Sequence, residues 1–184
     1  MSNLKVPITP EDNVHGHEKA PITLIEYGDY ECPDCKKAHT IVKEIQKKFG
    51  DKVRFGFRHF PLQAKHPCAL VAAQITEFSE TNKSFWEMHD LIFENQERLG
   101  MPLLLELTQK LGLPVRELEN ALENEIYAPK IQKDFVGGIK SSVNRSPTFF
   151  INGERYNGNL ELDDLTKHIE NLLQNTREPD HRTL

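Results

Sequence analysis

The chain has 184 residues, 38% of them apolar and 28% charged, with three cysteines and a formal net charge of −5. That length suffices for one domain with a substantial core, and the composition is that of an ordinary soluble protein. The acidic balance argues against a nucleic-acid partner. No apolar run approaches the roughly 18–20 residues that span a bilayer, so no membrane partner is expected.

The opening stretch, MSNLKVPITPEDNVHGHEKA, has no cationic start followed by an apolar segment and does not read as a secretory leader. The expectation is a cytoplasmic monomer with a polar lead-in, flexible over 1–13. Residues 21–27 (PITLIEY) form a β-branched, apolar run and predict a buried strand ended by Gly28. From Cys35 the spacing turns helical, with Ala38, Ile41, Val42, Ile45 and Phe49 on one face and Gly50 as the stop. Residues 53–59 (VRFGFRH) alternate and predict a second strand. Helical pattern then fills about 66–140, with segments near 67–80, 83–98, 103–111, 114–124 and 128–142. Residues 148–151 (TFFI) predict a strand, and Asn152-Gly153 a two-residue hairpin turn with Arg155-Tyr156 starting the return. Leu162, Leu165, Ile169, Leu172 and Leu173 mark a last amphipathic helix, after which 175–184 is expected to fray.

The order β-α-β, helices, β-β-α predicts an α/β, thioredoxin-like fold with an α-helical insertion in a single domain. Cys32 and Cys35, in the stretch YGDYECPDC, follow a strand and open a helix. A helix N-terminus has unpaired N–H groups and a partial positive charge, and both favour a thiolate. Pro33 suits an early helical position because its missing N–H does no harm there. One turn apart, Cys32 is expected to be the attacking thiol and Cys35 the resolving one, working through a mixed disulfide. The rival reading is a zinc-binding or redox-sensing thiol protein in which His66 and Cys68 join Cys32 and Cys35. Cys68 on its own reads as a structural thiol. No cofactor is expected.

The segments EYGDYECPDC, RHFPL, FWEMHDLIFENQ and SPTFFINGERYNG resemble the bacterial DsbA-like thiol–disulfide oxidoreductases, over about 14–174. The resemblance implies a thioredoxin-like fold with a helical insertion, and action on protein thiols or disulfides together with a thiol redox partner. It implies Cys32 as nucleophile, Cys35 as its partner and Pro147 as a cis-proline facing them. Glu26 falls where relatives carry a buried acid that handles the proton of Cys35. Ser146, Pro33, Asp34 and Arg145 would meet the substrate. Two departures stand out: Arg145-Ser146 replaces the frequent Gly-Thr or Gly-Val, and Cys68 stands where a histidine or other residue is expected. A glutathione-dependent transferase of related fold fits less well, since that class generally lacks a complete CxxC. Asp29, Glu31 and Asp34 surround the pair, and like charge raises a thiol's pKa. The sequence therefore predicts a more reducing site than that of the strongly oxidising family member with histidine between its cysteines, hence a reductase or isomerase.

Overall fold

The computed structural model describes residues 3–175; the tail expected to fray falls outside them from residue 176 onward. Among the described residues five strands form one sheet in the order β1-β3-β2-β4-β5. The centre is β2 (Ile22–Gly28), parallel to β3 (Val53–His59) and antiparallel to β4 (Thr148–Ile151). Six of the seven β2 residues are buried, as expected for a strand covered on both faces. The parallel pair needs a crossover, which α1 (Pro33–Phe49) supplies. Its Ala38, Val42 and Ile45 pack with Leu24 of β2 and with Leu165 and Ile169 of α7 (Leu162–Asn175) on one face of the sheet. Ile25, Tyr27 and Phe150 form a second cluster with Phe60 and Val143. Asn152 and Gly153, at φ 49° and 86°, turn β4 into β5 (Glu154–Arg155); both angles suit the mirror-image turn that matches strand twist.

The insertion contains α2 (Ala69–Glu80), α3 (Phe85–Glu94), α4 (Met101–Lys110), α5 (Val115–Glu123) and α6 (Ala128–Lys140). Phe78, Phe85, Met88, Phe93 and Leu104 join its inner faces to the α1 side of the core. This is the expected α/β architecture with its helical insertion. The α3 segment is shorter than predicted: the helix stops at Glu94, and residues 96–98 form a separate 3₁₀ turn.

The lead-in departs from expectation. Asn13–His15 forms an edge strand, β1, antiparallel to β3. Residues 4–12 are held by hydrogen bonds rather than loose. Leu4 N–H donates to the Gly153 carbonyl at 2.8 Å. Buried Arg58 reaches the Val6 and Pro7 carbonyls at 2.8 and 2.9 Å and grips Asp12 at 2.7 and 3.0 Å. Arg58 makes four of the bonds that hold this segment, and no local pattern in the polar stretch announces them.

Candidate functional site: the Cys32–Cys35 pair

The pair sits where β2 hands over to α1. Gly28 ends the strand against the Phe57 ring, and any Cβ there would collide with that ring. Cys32 is the N-cap, with extended backbone (φ −77°, ψ 122°) and Pro33 behind it. Its carbonyl accepts from Cys35 N at 3.0 Å and Lys36 N at 3.2 Å, and its own N–H bonds the Asp29 carbonyl at 3.2 Å. Gln96, from the turn after α3, donates from Nε2 to the Tyr30 and Cys32 carbonyls at 2.8 and 2.9 Å. Cys32 is 7% exposed and Cys35 not at all, so the two thiols face different surroundings.

The Ser146–Pro147 bond is cis. The Cys32 thiol donates to the Ser146 carbonyl at 3.5 Å, so the cis-proline loop stands directly against the pair. The Ser146 hydroxyl is buried with no fixed partner. It is therefore free to turn toward a Cys32 thiolate. Glu26, on β2, is 1% exposed, and its Oε1 is likewise buried without a partner.

These placements set the ionisation. Hydrogen bonding from the Cys35 thiol is the strongest influence on Cys32 and holds its pKa down at about 6; burial opposes this, while Ser146 and the Cys35 and Asp34 amides assist. A thiolate at a helix N-terminus is favoured by the same unpaired N–H groups. Burial pushes the Cys35 thiol well above its usual range, as do its donation to Cys32 and the charges of Glu26 and Cys32. Burial, then the Cys32 thiolate, likewise holds the Glu26 carboxyl well above the ordinary carboxylate range. One thiol ionises easily, and its neighbour and the carboxyl keep their protons.

The acids nearby do not push Cys32 up as the sequence suggested. The Asp29 carboxylate turns away to accept from Glu31 N, Leu62 N and His66 Nδ1, each at 2.8 Å. Glu31 accepts from Cys68 N at 2.6 Å, at the start of α2. Asp34 is exposed, and its influence on Cys32 comes through its main-chain N–H. Pro33 and Arg145 are exposed too, and Arg145, Asp34, Ser146 and Pro147 border a groove of about 520 Å³ beside the pair.

The four-residue zinc set does not form. His66 is engaged by Asp29 and Cys68 is docked through its amide on Glu31, while the clusters that bring three candidate ligands together lie elsewhere among the described residues. In those clusters His39 and Lys43 already bond Asp90, and Lys130 bonds Asp134. The sequence reading missed Gln96 and the inward role of Asp29. Gln96 lay within the quoted FWEMHDLIFENQ segment, but nothing local shows that its amide reaches back 64 residues.

A parallel β-α-β unit with a CxxC at its helix start and a cis-proline opposite defines a thioredoxin-type dithiol site. The thioredoxin family Thioredoxin_4 matches residues 9–171. The chain belongs to that family. Oxidised BdbD from Bacillus subtilis superposes with a TM-score of 0.81 at 28% identity, over 91% of this chain and 96% of that one. The α-DsbA1 of Wolbachia pipientis has a TM-score of 0.82 at 23% identity over 95% and 97%, which supports the fold. By sequence, the Na(+)/H(+) antiporter NhaA 1 of Salinispora arenicola is 37% identical over 98% of this chain, and NhaA 3 of Salinispora tropica 35% over 98%. The chain spans only 29% of the length of either antiporter. No helix among the described residues is long and apolar enough to cross a membrane.

Proposed function

We propose that the chain exchanges dithiol and disulfide with protein substrates through a mixed disulfide on Cys32, in the reducing or isomerising direction. The observation that carries this is the asymmetry of the pair: Cys32 ionises at about 6 while the fully buried Cys35 stays protonated. The Cys32 thiolate attacks a substrate disulfide and releases one substrate thiolate. Once Cys32 is capped, the charge that helped keep Glu26 protonated is gone. Glu26 then releases its proton to solvent and takes the Cys35 proton in its place, and the Cys35 thiolate attacks the Cys32 sulfur. The Cys32–Cys35 disulfide forms, the second substrate thiolate leaves and is protonated, and two electrons have passed to the substrate. A separate thiol partner returns the pair to the dithiol. An extended substrate would lie along the Ser146 backbone beside the nucleophile, with Arg145 and Asp34 at the groove.

The direction rests on acidity. A thiol at about 6 lies between the approximately 7 of thioredoxin and the approximately 3.5 of DsbA, and a less stabilised thiolate makes a weaker oxidant. The setting we propose is a reducing compartment such as the cytoplasm, with the protein acting as a monomer. For the stretch shared with the longer antiporters we propose the same redox role.

Two measurements test this. Cys35→Ser should accumulate covalent complexes with substrate proteins, and their absence under conditions that trap other thioredoxin-fold enzymes overturns the exchange reading. Equilibration against glutathione should give a potential well below about −120 mV, the value of DsbA; a value that high overturns the direction.

A further inference from the structure

Whichever way electrons flow, a negative charge must come to rest on Cys35. In resolution Cys35 attacks as a thiolate; in the reverse reaction it leaves as one. No water can reach it directly, because the residue is wholly buried. Its reduced-state partner, the Cys32 sulfur, is part of the disulfide being made or broken. Among the described residues one fixed donor is aimed at it: the main-chain N–H of Asp29, 3.4 Å from the Cys35 Sγ.

That N–H sits on a loop that would be mobile if left alone. It is tied at every side. The Asp29 carbonyl takes the Cys32 N–H. One carboxylate oxygen holds Glu31 N, and the other holds both Leu62 N and His66 Nδ1. The side chain is completely enclosed, whereas His66 is 18% exposed. Only a carboxylate offers enough lone pairs for all three donors. Leu62 and His66 belong to the connection between β3 and α2, so the knot braces the active-site loop against the next crossover.

We propose that the Asp29 main-chain N–H stabilises the Cys35 thiolate during resolution, and that the Asp29 carboxylate is the positioning group that aims it. The proposal rests on Cys32 and Cys35 exchanging disulfides as described above. The step balances: the Cys35 thiol gives its proton to ionised Glu26, the thiolate forms the S–S bond with Cys32, and the substrate sulfur leaves with the bonding pair. The Asp29 N–H transfers nothing. The direction of its influence agrees with this role, since it opposes the effect of burial on the Cys35 thiol.

The first test leaves Asp29 intact. In Cys32→Ser, the Asp29 amide proton should move downfield in a two-dimensional NMR titration with the same midpoint as Cys35 alkylation. An amide that ignores that midpoint overturns the proposal. The second test uses Asp29→Asn and Asp29→Ala in the full chain. Hydrogen bonds to charged groups are worth enough to slow resolution about tenfold when misaligned. The attack of Cys32, measured with and without the Asp29 change in a Cys35→Ser background, should differ by less than about twofold, because the Ser146 and Asp34 donors to Cys32 do not run through the Asp29 carboxylate. His66→Gln should show a smaller loss of the same kind. Equal losses in attack and resolution, or unchanged resolution in a folded variant, overturn the proposal. Should Asp29→Ala not fold, Asp29→Asn and the amide titration decide. Failure of Cys32 to attack any disulfide in Cys35→Ser would instead count against the exchange reading itself, so the two are distinguishable.

Discussion

The Cys32 sulfur lies 3.5 Å from the Ser146 carbonyl, although 114 residues separate the two positions. The whole helical insertion lies between them in the chain. The site therefore closes only when the sheet brings the end of β2 beside the start of β4, whose register sets Tyr27 opposite Thr148.

The first prediction concerns the titration of Cys32. Its thiolate absorbance should rise with a midpoint near pH 6. Losing the Cys35 thiol, the largest influence, should raise the midpoint most. Cys35→Ala is expected to shift it up by about one to two units, since a hydrogen bond to a charged group is worth about 1.5–3 kcal/mol and each unit about 1.4. Ser146→Ala should shift it up by less. An unchanged midpoint in Cys35→Ala would mean that the helix terminus alone sets the acidity.

Asp34 gives a prediction of the opposite kind. Its carboxylate is exposed, while its main-chain N–H bonds Cys32. Asp34→Asn should leave the Cys32 midpoint within about half a unit, as expected for an exposed charge. Alkylation rate against pH measures it, and a drop of a full unit would restore the acidic-setting argument.

Glu26 should make stability fall as the solution becomes more alkaline. Its folded pKa is raised above the reference value of 4.5. Above that reference the unfolded chain has released a proton that the folded chain still holds, so stability declines as pH rises from about 4.5. Glu26→Leu should lack this decline and be more stable at pH 7 by about 1–3 kcal/mol, the usual cost of an unsatisfied buried polar group. Chemical denaturation at pH 4, 6 and 8 gives the comparison. The same variant should resolve mixed disulfides slowly.

Arg58 should be the costliest surface-to-sheet tie to cut. Arg58→Met leaves Asp12 enclosed without its partner, a loss of about 3–5 kcal/mol for a broken buried pair. The Asp12 carboxyl is held below its usual 3.8, burial opposing and Arg58 bonding prevailing. Its contribution is thus present above that value and fades as pH falls toward the folded pKa. Hydrogen exchange should show residues 4–12 opening first in the variant.

Much of this was readable from residue order. The β-branched run at 21–27, the Asn152-Gly153 turn and the helical face of Ala38, Val42 and Ile45 are local patterns, and the sheet and α1 follow from them. Cys32 and Cys35 stand out by their spacing, whereas Pro147 and Glu26 come into view only through the family resemblance; the cis-proline loop meets Cys32 at the Ser146 carbonyl. What stayed hidden was direction. Nothing nearby in sequence tells that Asp29 points at Leu62 and His66, or that Glu31 sits on the Cys68 amide, so residue order alone sets their charges against Cys32, whereas the fold gives them to other donors. Arg58 hid β1 and the lead-in for the same reason: its partners lie 46 to 52 residues away.

Gln96 bears on how far such a protein can be trimmed. Its single amide, carried between α3 and α4, props two carbonyls of the loop that presents Cys32. Cutting the chain back to a bare strand-and-helix core, or grafting in the helices of a relative without this glutamine, would free two of the loop's carbonyls and leave it to the Asp29 ties alone. The helical block is thus scaffolding for the reaction, and any minimised version must bring its own crossbeam.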